Sequence, residues 1–141
     1  MIKFAIAIAK ITIIKMSVKN VKVKNIRQEG YDNLKKWMED KNNIYIGRKG
    51  IVFIDGKRFP TTDSLFANPY KIDENNTRND VILKYEVYIH DLLKNNEQLK
   101  HILLSMHNKN LGCWCKPEQC HGDILIKIIN ECIMCEQICE K

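Results

Sequence analysis

The sequence has no uninterrupted apolar stretch of the roughly 20 residues that a membrane-spanning helix requires. The apolar run that follows Met1 is short, and Lys10 and Lys15 interrupt it. No clear small-residue cleavage site follows that run, so it resembles a signal peptide only faintly. We therefore expect no membrane partner and place the protein in a cytoplasm.

Glycine and proline are also scarce, with 6 and 3 residues among 141. No Gly/Ser linker and no internal repeat divides the chain, and 45% hydrophobic residues suffice for a core. We predict one domain over residues 20–131, preceded by a basic arm over residues 1–19. Residues 132–141 are predicted to be a cysteine-containing helix end. With Met16 as the natural start, residues 1–15 would instead be an upstream extension.

Acidic residues are absent from residues 1–28, which hold seven of the 23 Lys and Arg residues. The formal charge of +6 is therefore concentrated in residues 1–28, which include the arm, and the rest of the chain is close to neutral. Such an arm attracts nucleic acid or another anionic surface without specificity, although a lysine-rich terminus can equally be a solubilising tail. The charge of the arm is thus compatible with nucleic acid as a partner but does not imply one.

Apolar spacing predicts alternating strands and helices along the body of the chain. Asp55-Gly56 has the composition of a two-residue hairpin turn. Thr77-Arg78-Asn79-Asp80 resembles a capping box with Asp in the place of Glu, so a helix should follow it. The predicted strands cover residues 21–26, 44–46 and 111–115, a hairpin covers 51–59, and the predicted helices cover 31–38, 81–93, 97–107 and 121–133. This order predicts a small single-domain α/β fold with a sheet flanked by helices and a β-hairpin insertion.

Six cysteines without a convincing export signal favour metal binding, catalysis or packing over disulfides. Three of them lie between residues 113 and 123, where the predicted strand meets the last helix. Cys113 and Cys115 are two residues apart on that strand, so both thiols should face the same side. Cys132, Cys135 and Cys139 share one face of the last helix, where we expect them to pack against the body.

Cys120 and His121 fall at the predicted start of the last helix, where backbone N–H groups stabilise a negative charge. Cysteine at such a place can have a pKa of about 3.5 to 7.5, and Lys116 adds positive charge nearby. We predict Cys120 as the first candidate nucleophile or ligand, with His121 beside it. Asp123 either caps the helix or orients His121.

A zinc site is the alternative interpretation of the same junction, because Cys113, Cys115, Cys120 and His121 are four suitable ligands. The spacing argues against it. Residues i and i+2 of a strand lie about 6.5 Å apart, whereas zinc-bound sulfurs lie within about 4 Å of each other. Buried, unreactive thiols are the third interpretation.

The stretch from Leu111 to Leu125, which contains Cys113-Trp114-Cys115-Lys116-Pro117-Glu118-Gln119-Cys120-His121-Gly122-Asp123, closely resembles the signature of DUF4326. DUF4326 is a domain of unknown function found in phages, bacteria and large viruses. Further upstream, the resemblance includes Tyr45-Ile46-Gly47-Arg48, Asn68-Pro69-Tyr70, and Thr77-Arg78 with Tyr85, and it spans roughly residues 20 to 130. The chain departs from the family pattern in an extended segment over residues 51–65 and in Ala67, where the family usually has glycine.

The resemblance implies a viral or phage setting, in which the compartment would be the host cytoplasm. The junction is also similar, more distantly, to another α/β family with a Cys-His-Arg helix start, which favours a Rossmann-like sheet. In open α/β sheets the ligand lies beyond the strand ends. We expect Arg48, Asn68 and Arg78 to converge there with the helix that begins near Cys120, and Lys116 to assist them.

Two functional hypotheses follow from these residues. The first is a small enzyme or ligand-binding domain whose arginines and helix N-terminus favour an anionic, phosphate-bearing or nucleotide-like ligand. In this hypothesis, the catalytic residues are Cys120, His121 and Asp123. The second is a non-catalytic, zinc-stabilised module that binds nucleic acid or a protein partner.

Overall fold

The computed structural model describes residues 16–139, so the first 15 residues of the predicted arm lie outside the described residues. Within residues 16–139, no helix is long and apolar enough to span a membrane. In chain order, the elements are β1 (Val18–Asn20), α1 (Val23–Gln28), α2 (Leu34–Glu39), β2 (Asn43–Tyr45), β3 (Val52–Ile54), β4 (Lys57–Phe59), α3 (Arg78–Lys94), α4 (Glu97–Ser105), β5 (Asn110–Cys113) and α5 (His121–Cys139).

In this part of the chain, β1, β5 and β2 form a parallel sheet with β5 in the middle. Leu111 of β5 is aligned with Val18 of β1 on one side and with Ile44 of β2 on the other. Because side chains alternate across a sheet, Leu111 and Cys113 share one face. That face is covered by α3, α4 and α5, whose buried apolar residues form the larger core with Val18 and Ile46.

The opposite face of the sheet is covered by α1, α2 and the hairpin of β3 and β4. A second core forms there around Trp37, with Val21, Ile26 and Tyr45. The Trp37 ring lies so close to Gly112 that a Cβ at this position would be 2.4 Å from it, which explains why glycine occupies the central strand. Layers of helix on both faces of a parallel sheet confirm the predicted α/β class. The Rossmann-like topology stays a prediction.

The predicted strand over residues 21–26 is wrong, because the strand lies earlier and a helix follows it. β1 is Val18–Asn20, so the sheet begins within the predicted basic arm. Asn20 ends the strand by donating from its side-chain amide to the Lys116 carbonyl, at 2.6 Å, and by accepting from the backbone N–H of Lys22. Val21 is buried just before the short helix α1 and Ile26 is buried within it, and their spacing could not distinguish that arrangement from a strand.

The hairpin is confirmed, with β3 and β4 antiparallel and Ile54 aligned with Lys57. Asp55 and Gly56 have φ angles of 53° and 76°, the left-handed conformation that a two-residue hairpin turn requires at both positions. Val52, Ile54 and Phe59 pack against the core around Trp37.

The capping box at the start of α3 is confirmed as well. Thr77 Oγ1 accepts from the backbone N–H of Asp80 at 3.2 Å, and the Asp80 carboxylate accepts from the backbone N–H of Thr77 at 2.8 Å. The helix that follows buries Val81, Tyr85, Ile89 and Leu93 against α5 and the sheet. This cap therefore sets where α3 begins relative to the sheet.

Removal of the cap should destabilise the fold. For Thr77→Ala we expect a loss of about 1 kcal/mol in the free energy of unfolding, because one helix N–H loses its acceptor. Urea denaturation followed by far-UV circular dichroism measures this change. Thr62→Ala, in an exposed loop position, is the matched control and should unfold like the wild type. Equal midpoints for the two variants would contradict the role of the cap.

Candidate functional site

A cavity of about 500 Å³ lies at the carboxyl ends of β2 and β5. Its wall includes Arg48 just after β2, and Cys113 and Cys115 at the end of β5. Asn68 from the loop before α3 and Arg78 from the start of α3 also line it. The ligand-binding residues predicted from the sequence are thus brought to one cavity, except Lys116, which is not among its lining residues.

The junction gathers three thiols and one imidazole. Cys113 Sγ lies 3.9 Å from Cys115 Sγ and 4.0 Å from His121 Nδ1, and Cys120 Sγ lies 3.6 Å from the same nitrogen. The ligand atoms of Cys113, Cys120 and His121 all lie within 4.8 Å of one another. These three buried residues could hold a metal ion.

The predicted strand over residues 111–115 ends instead at Cys113. A tight turn follows, in which the backbone N–H of Glu118 donates to the Cys115 carbonyl at 2.8 Å. Because Cys115 has left the extended conformation, its sulfur approaches that of Cys113 more closely than strand spacing allows. The spacing argument against a metal is therefore wrong for this pair.

The orientation of His121 is determined by a backbone carbonyl. His121 Nε2 lies 2.8 Å from the carbonyl oxygen of Ile46, which can only accept, so this nitrogen carries the proton. Nδ1 is left with a lone pair that faces the thiols of Cys113 and Cys120. The Tyr85 ring meets the imidazole edge-on at 4.9 Å, and burial lowers the pKa of His121, which favours the neutral ring.

The three thiols differ in how well they carry a negative charge. Hydrogen bonds with the other two thiols lower the pKa of Cys115, and the Arg78 guanidinium adds to this effect. The thiols of Cys113 and Cys115, together with burial, raise the pKa of Cys120. This direction is opposite to the one predicted from the helix N-terminus. Close thiols share a single charge more easily than they carry several, and Cys115 is the one beside a cation.

Asp123 acts as a cap and an ion-pair partner. Its carboxylate accepts from the backbone N–H of Cys120 at 3.2 Å and lies 2.8 Å from Lys116 Nζ. Within the described residues, no hydrogen bond joins Asp123 to the His121 ring. Of the two interpretations of Asp123, the contacts favour capping. They also explain where Lys116 points, since its amino group is held at the helix start.

Arg48 and Asn68 organise the loop that forms one wall of the cavity. Arg48 donates from Nε to the Asn68 carbonyl at 2.9 Å and from Nη2 to the Tyr70 carbonyl at 2.7 Å. The Asn68 side chain accepts from the backbone N–H of Tyr70 and donates to the Val81 carbonyl. The extended segment between Arg48 and Asn68 therefore leaves their direct contact in place.

Arg78 connects the start of α3 with the junction. Its Nη1 donates to the Gln119 carbonyl at 3.1 Å, and its guanidinium acts on the neighbouring Cys115 thiol. Lys71 also lines the cavity, which the sequence did not indicate because it belongs to no motif. Arg48, Lys71 and Arg78 thus supply three cations to one cavity.

The remaining cysteines lie away from the junction. Cys132 is half-buried against the larger core, as expected for a packing residue, whereas Cys135 is exposed. The side chain of Cys139 lies outside the described part of the chain. The contacts of Cys132 therefore agree with the packing interpretation.

Comparison with known families identifies residues 31–131 with a family model described as a domain of unknown function, DUF4326. The chain belongs to the DUF4326 family. A similar protein is the "Uncharacterized 12.4 kDa protein in nrdA-td intergenic region" of Enterobacteria phage T4, 45% identical over 38 residues. That match covers 27% of this chain and 35% of the phage protein. No solved structure matches the chain.

In this DUF4326 domain, the start of α5 approaches the sheet closely because residue 122 is glycine. A Cβ at Gly122 would lie 2.5 Å from Cγ2 of Val18 and 2.7 Å from Cδ1 of Ile46. Neither β-branched side chain can move away without disturbing the larger core. The small residue thus allows His121 to reach the Ile46 carbonyl.

Gly122→Ala should therefore destabilise the domain by about 1 to 3 kcal/mol, as expected for overpacking. Urea denaturation measures the loss, and Lys127→Ala, at an exposed position of the same helix, serves as a control that should change stability by less than about 0.5 kcal/mol. If Gly122→Ala stabilised the protein, as alanine does in an unobstructed helix, the close approach of α5 to the sheet would be refuted.

Proposed function

We propose that this DUF4326 domain binds an anionic, phosphate-bearing or nucleotide-like ligand in the cavity at the strand ends. The observation that carries the proposal is the charge of the cavity wall. Among the described residues, those lining the cavity include Arg48, Lys71 and Arg78 but no Asp or Glu. Even with the Cys115 thiol ionised, three cations face one negative charge, so the wall attracts an anion and repels a cation.

Arg78 is the proposed anchor for the anion. Arg48 uses Nε and Nη2 on backbone carbonyls of the loop, whereas Arg78 donates from Nη1 to the Gln119 carbonyl and also interacts with the Cys115 thiol. A guanidinium has five N–H donors in a planar fork that matches phosphate oxygens, so Arg78 retains donors for a ligand. Lys71 is exposed at the cavity and can add a second, more mobile charge.

The rest of the wall suits a flat, partly apolar group next to the phosphate. Ile51, Ile72, Ile82 and Trp114 line the cavity, whose volume of about 500 Å³ is within the range of small-molecule sites. The Trp114 indole is held by a hydrogen bond from Nε1 to the Tyr45 hydroxyl at 2.8 Å. Tyr45 in turn donates to the Arg48 carbonyl at 2.7 Å, so the apolar and cationic walls are connected.

The proposal assigns ligand binding, rather than a covalent step through Cys120, to this cavity. Cys120 is fully buried and is not among the lining residues, and the Asp123 carboxylate is used on Cys120 N–H and Lys116. His121 lines the cavity, but its Nδ1 faces the thiols of Cys113 and Cys120. The predicted roles of Cys120, His121 and Asp123 in catalysis therefore receive no support from their contacts.

Titration calorimetry with inorganic phosphate, pyrophosphate and a panel of nucleoside mono-, di- and triphosphates tests the proposal. We expect saturable binding of a phosphorylated probe, and about a 10-fold weaker affinity for Arg78→Gln, because one charge-assisted hydrogen bond is lost. Lys94→Gln removes a charge from the last turn of the same helix and should bind like the wild type. No binding of any probe, or equal affinities for all three proteins, would refute the proposal.

A further inference from the structure

The Ile46 carbonyl orients His121, but it does not account for three thiols gathered around the other ring nitrogen. Cys113 and Cys115 do not form a disulfide, since their sulfurs are 3.9 Å apart and an S–S bond is about 2.05 Å long. Cys113, Cys120 and His121 are buried with exposures of 4%, 0% and 4%, and their polar atoms face one another. Such groups gain little from mutual contact, because thiols are weak hydrogen-bond donors and acceptors.

We infer that Cys113, Cys115, Cys120 and His121 form a tetrahedral zinc site with four protein ligands. In a tetrahedron with bonds of about 2.3 Å to sulfur and about 2.0 Å to nitrogen, two sulfurs lie about 3.8 Å apart, and sulfur lies about 3.5 Å from nitrogen. The Cys113–Cys115 sulfur distance is 3.9 Å, and Cys120 Sγ lies 3.6 Å from His121 Nδ1. Both distances match an ion at the centre of the group. The 4.0 Å between Cys113 Sγ and His121 Nδ1 exceeds the ideal by about 0.5 Å, and Cys115 lies outside the set of ligand atoms that are all within 4.8 Å of one another, so its sulfur moves towards the ion on binding.

His121 has the tautomer that the site needs. The Nε2 proton is donated to the Ile46 carbonyl at 2.8 Å, which leaves the Nδ1 lone pair directed towards the sulfurs. A hydrogen bond from the second ring nitrogen to a carbonyl is the usual support for a metal-binding histidine. It orients the ring before the metal arrives, so little ordering is required on binding.

The donor set selects the metal. Three sulfurs and an imidazole suit zinc, whereas magnesium and calcium require oxygen ligands that the four side chains do not offer. Four protein ligands leave no position for water, which is typical of structural rather than catalytic zinc. The ion would join the end of β5, the turn after it and the start of α5. Through His121 it would also stabilise the end of β2. This role is independent of the proposed ligand.

Cys115 is the ligand that distinguishes a four-coordinate site from a three-coordinate one. It is half-buried, whereas the other three are buried, and it follows the strand rather than belonging to it. If Cys115 did not bind the metal, the remaining three ligands would leave an open position towards the cavity. A serine at this position therefore tests the fourth bond.

The metal content of the purified full chain is measured by plasma mass spectrometry, and Co²⁺ is then substituted to record its visible absorption. We expect one equivalent of zinc and an intense tetrahedral Co²⁺ spectrum. Cys120→Ser should weaken zinc binding by more than about 100-fold, which exceeds the loss from removing a supporting residue. Cys132→Ser, a half-buried thiol of α5 outside the junction, is the matched control and should keep the full equivalent.

For Cys115→Ser we also expect more than about a 100-fold weaker affinity in competition with a chelator, with a changed Co²⁺ spectrum, because the loss of a direct ligand exceeds that of a supporting residue. An affinity equal to that of the wild type would refute the fourth ligand. Where a variant does not fold, metal uptake by the wild-type protein still tests whether the site exists. If chelator-treated wild type bound neither Zn²⁺ nor Co²⁺ at micromolar concentration, the whole site would be refuted, whereas the phosphate titration would remain a separate test of the cavity.

Discussion

The hydrogen bond from His121 Nε2 to the Ile46 carbonyl is the interaction on which the site depends. It joins the start of α5 to the residue that follows β2, while the backbone of α5 continues from the turn after β5. One contact thus holds three elements at the same edge of the sheet. Because the carbonyl accepts only one kind of partner, the bond also decides which ring nitrogen faces the thiols. Gly122 permits this contact by letting the helix approach Val18 and Ile46.

The cavity and the thiol junction share a wall, so the two parts of the site support each other. Cys113, Cys115 and His121 belong to both, and Arg78 lies between Cys115 and the Gln119 carbonyl. Zinc held by three thiolates and a neutral imidazole has a net charge of −1, which equals that of a single shared thiolate. The metal would therefore leave the charge beside Arg78 unchanged, and the three cations of the cavity would still outnumber it. The arrangement combines a rigid base with a cationic wall built on loops, as is common for binding sites.

The features predictable from the sequence were those with local physical causes. The Asp55-Gly56 turn, the capping box at Thr77 and the long apolar stripe of α3 depend on neighbouring residues, and the structure confirms all three. β1 and α1 were not predictable, because the burial of Val18 and Val21 depends on strand pairing with residues near position 111. The family motif located the junction. The Ile46 carbonyl could not be found, since every residue has a carbonyl and its use is decided by tertiary structure.

The spacing between Cys113 and Cys115 spoke against zinc in the sequence for the same reason. Strand geometry was extended to Cys115, which lies two residues beyond the last paired position. The pKa of Cys120 was misjudged for a related reason. The helix N-terminus acts on any thiol placed there, but the turn between β5 and α5 brings the sulfurs of Cys113 and Cys115 against Cys120, and these oppose it. The direction in which the pKa of a thiol shifts in such a cluster depends on how many other ionisable groups lie next to it.

The position of β5 in the sheet has a consequence for biosynthesis. β1 and β2 are both edge strands whose hydrogen-bonding partner is β5, and β5 comes late in the chain. Among the described residues, neither early strand has its partner until residues 110–113 have left the ribosome. Contacts between residues so distant in sequence generally form slowly. The larger core and the candidate site, both of which include β5, should therefore form together only after β5 has been synthesised, so a chain truncated before β5 would have helices and the hairpin but no parallel sheet.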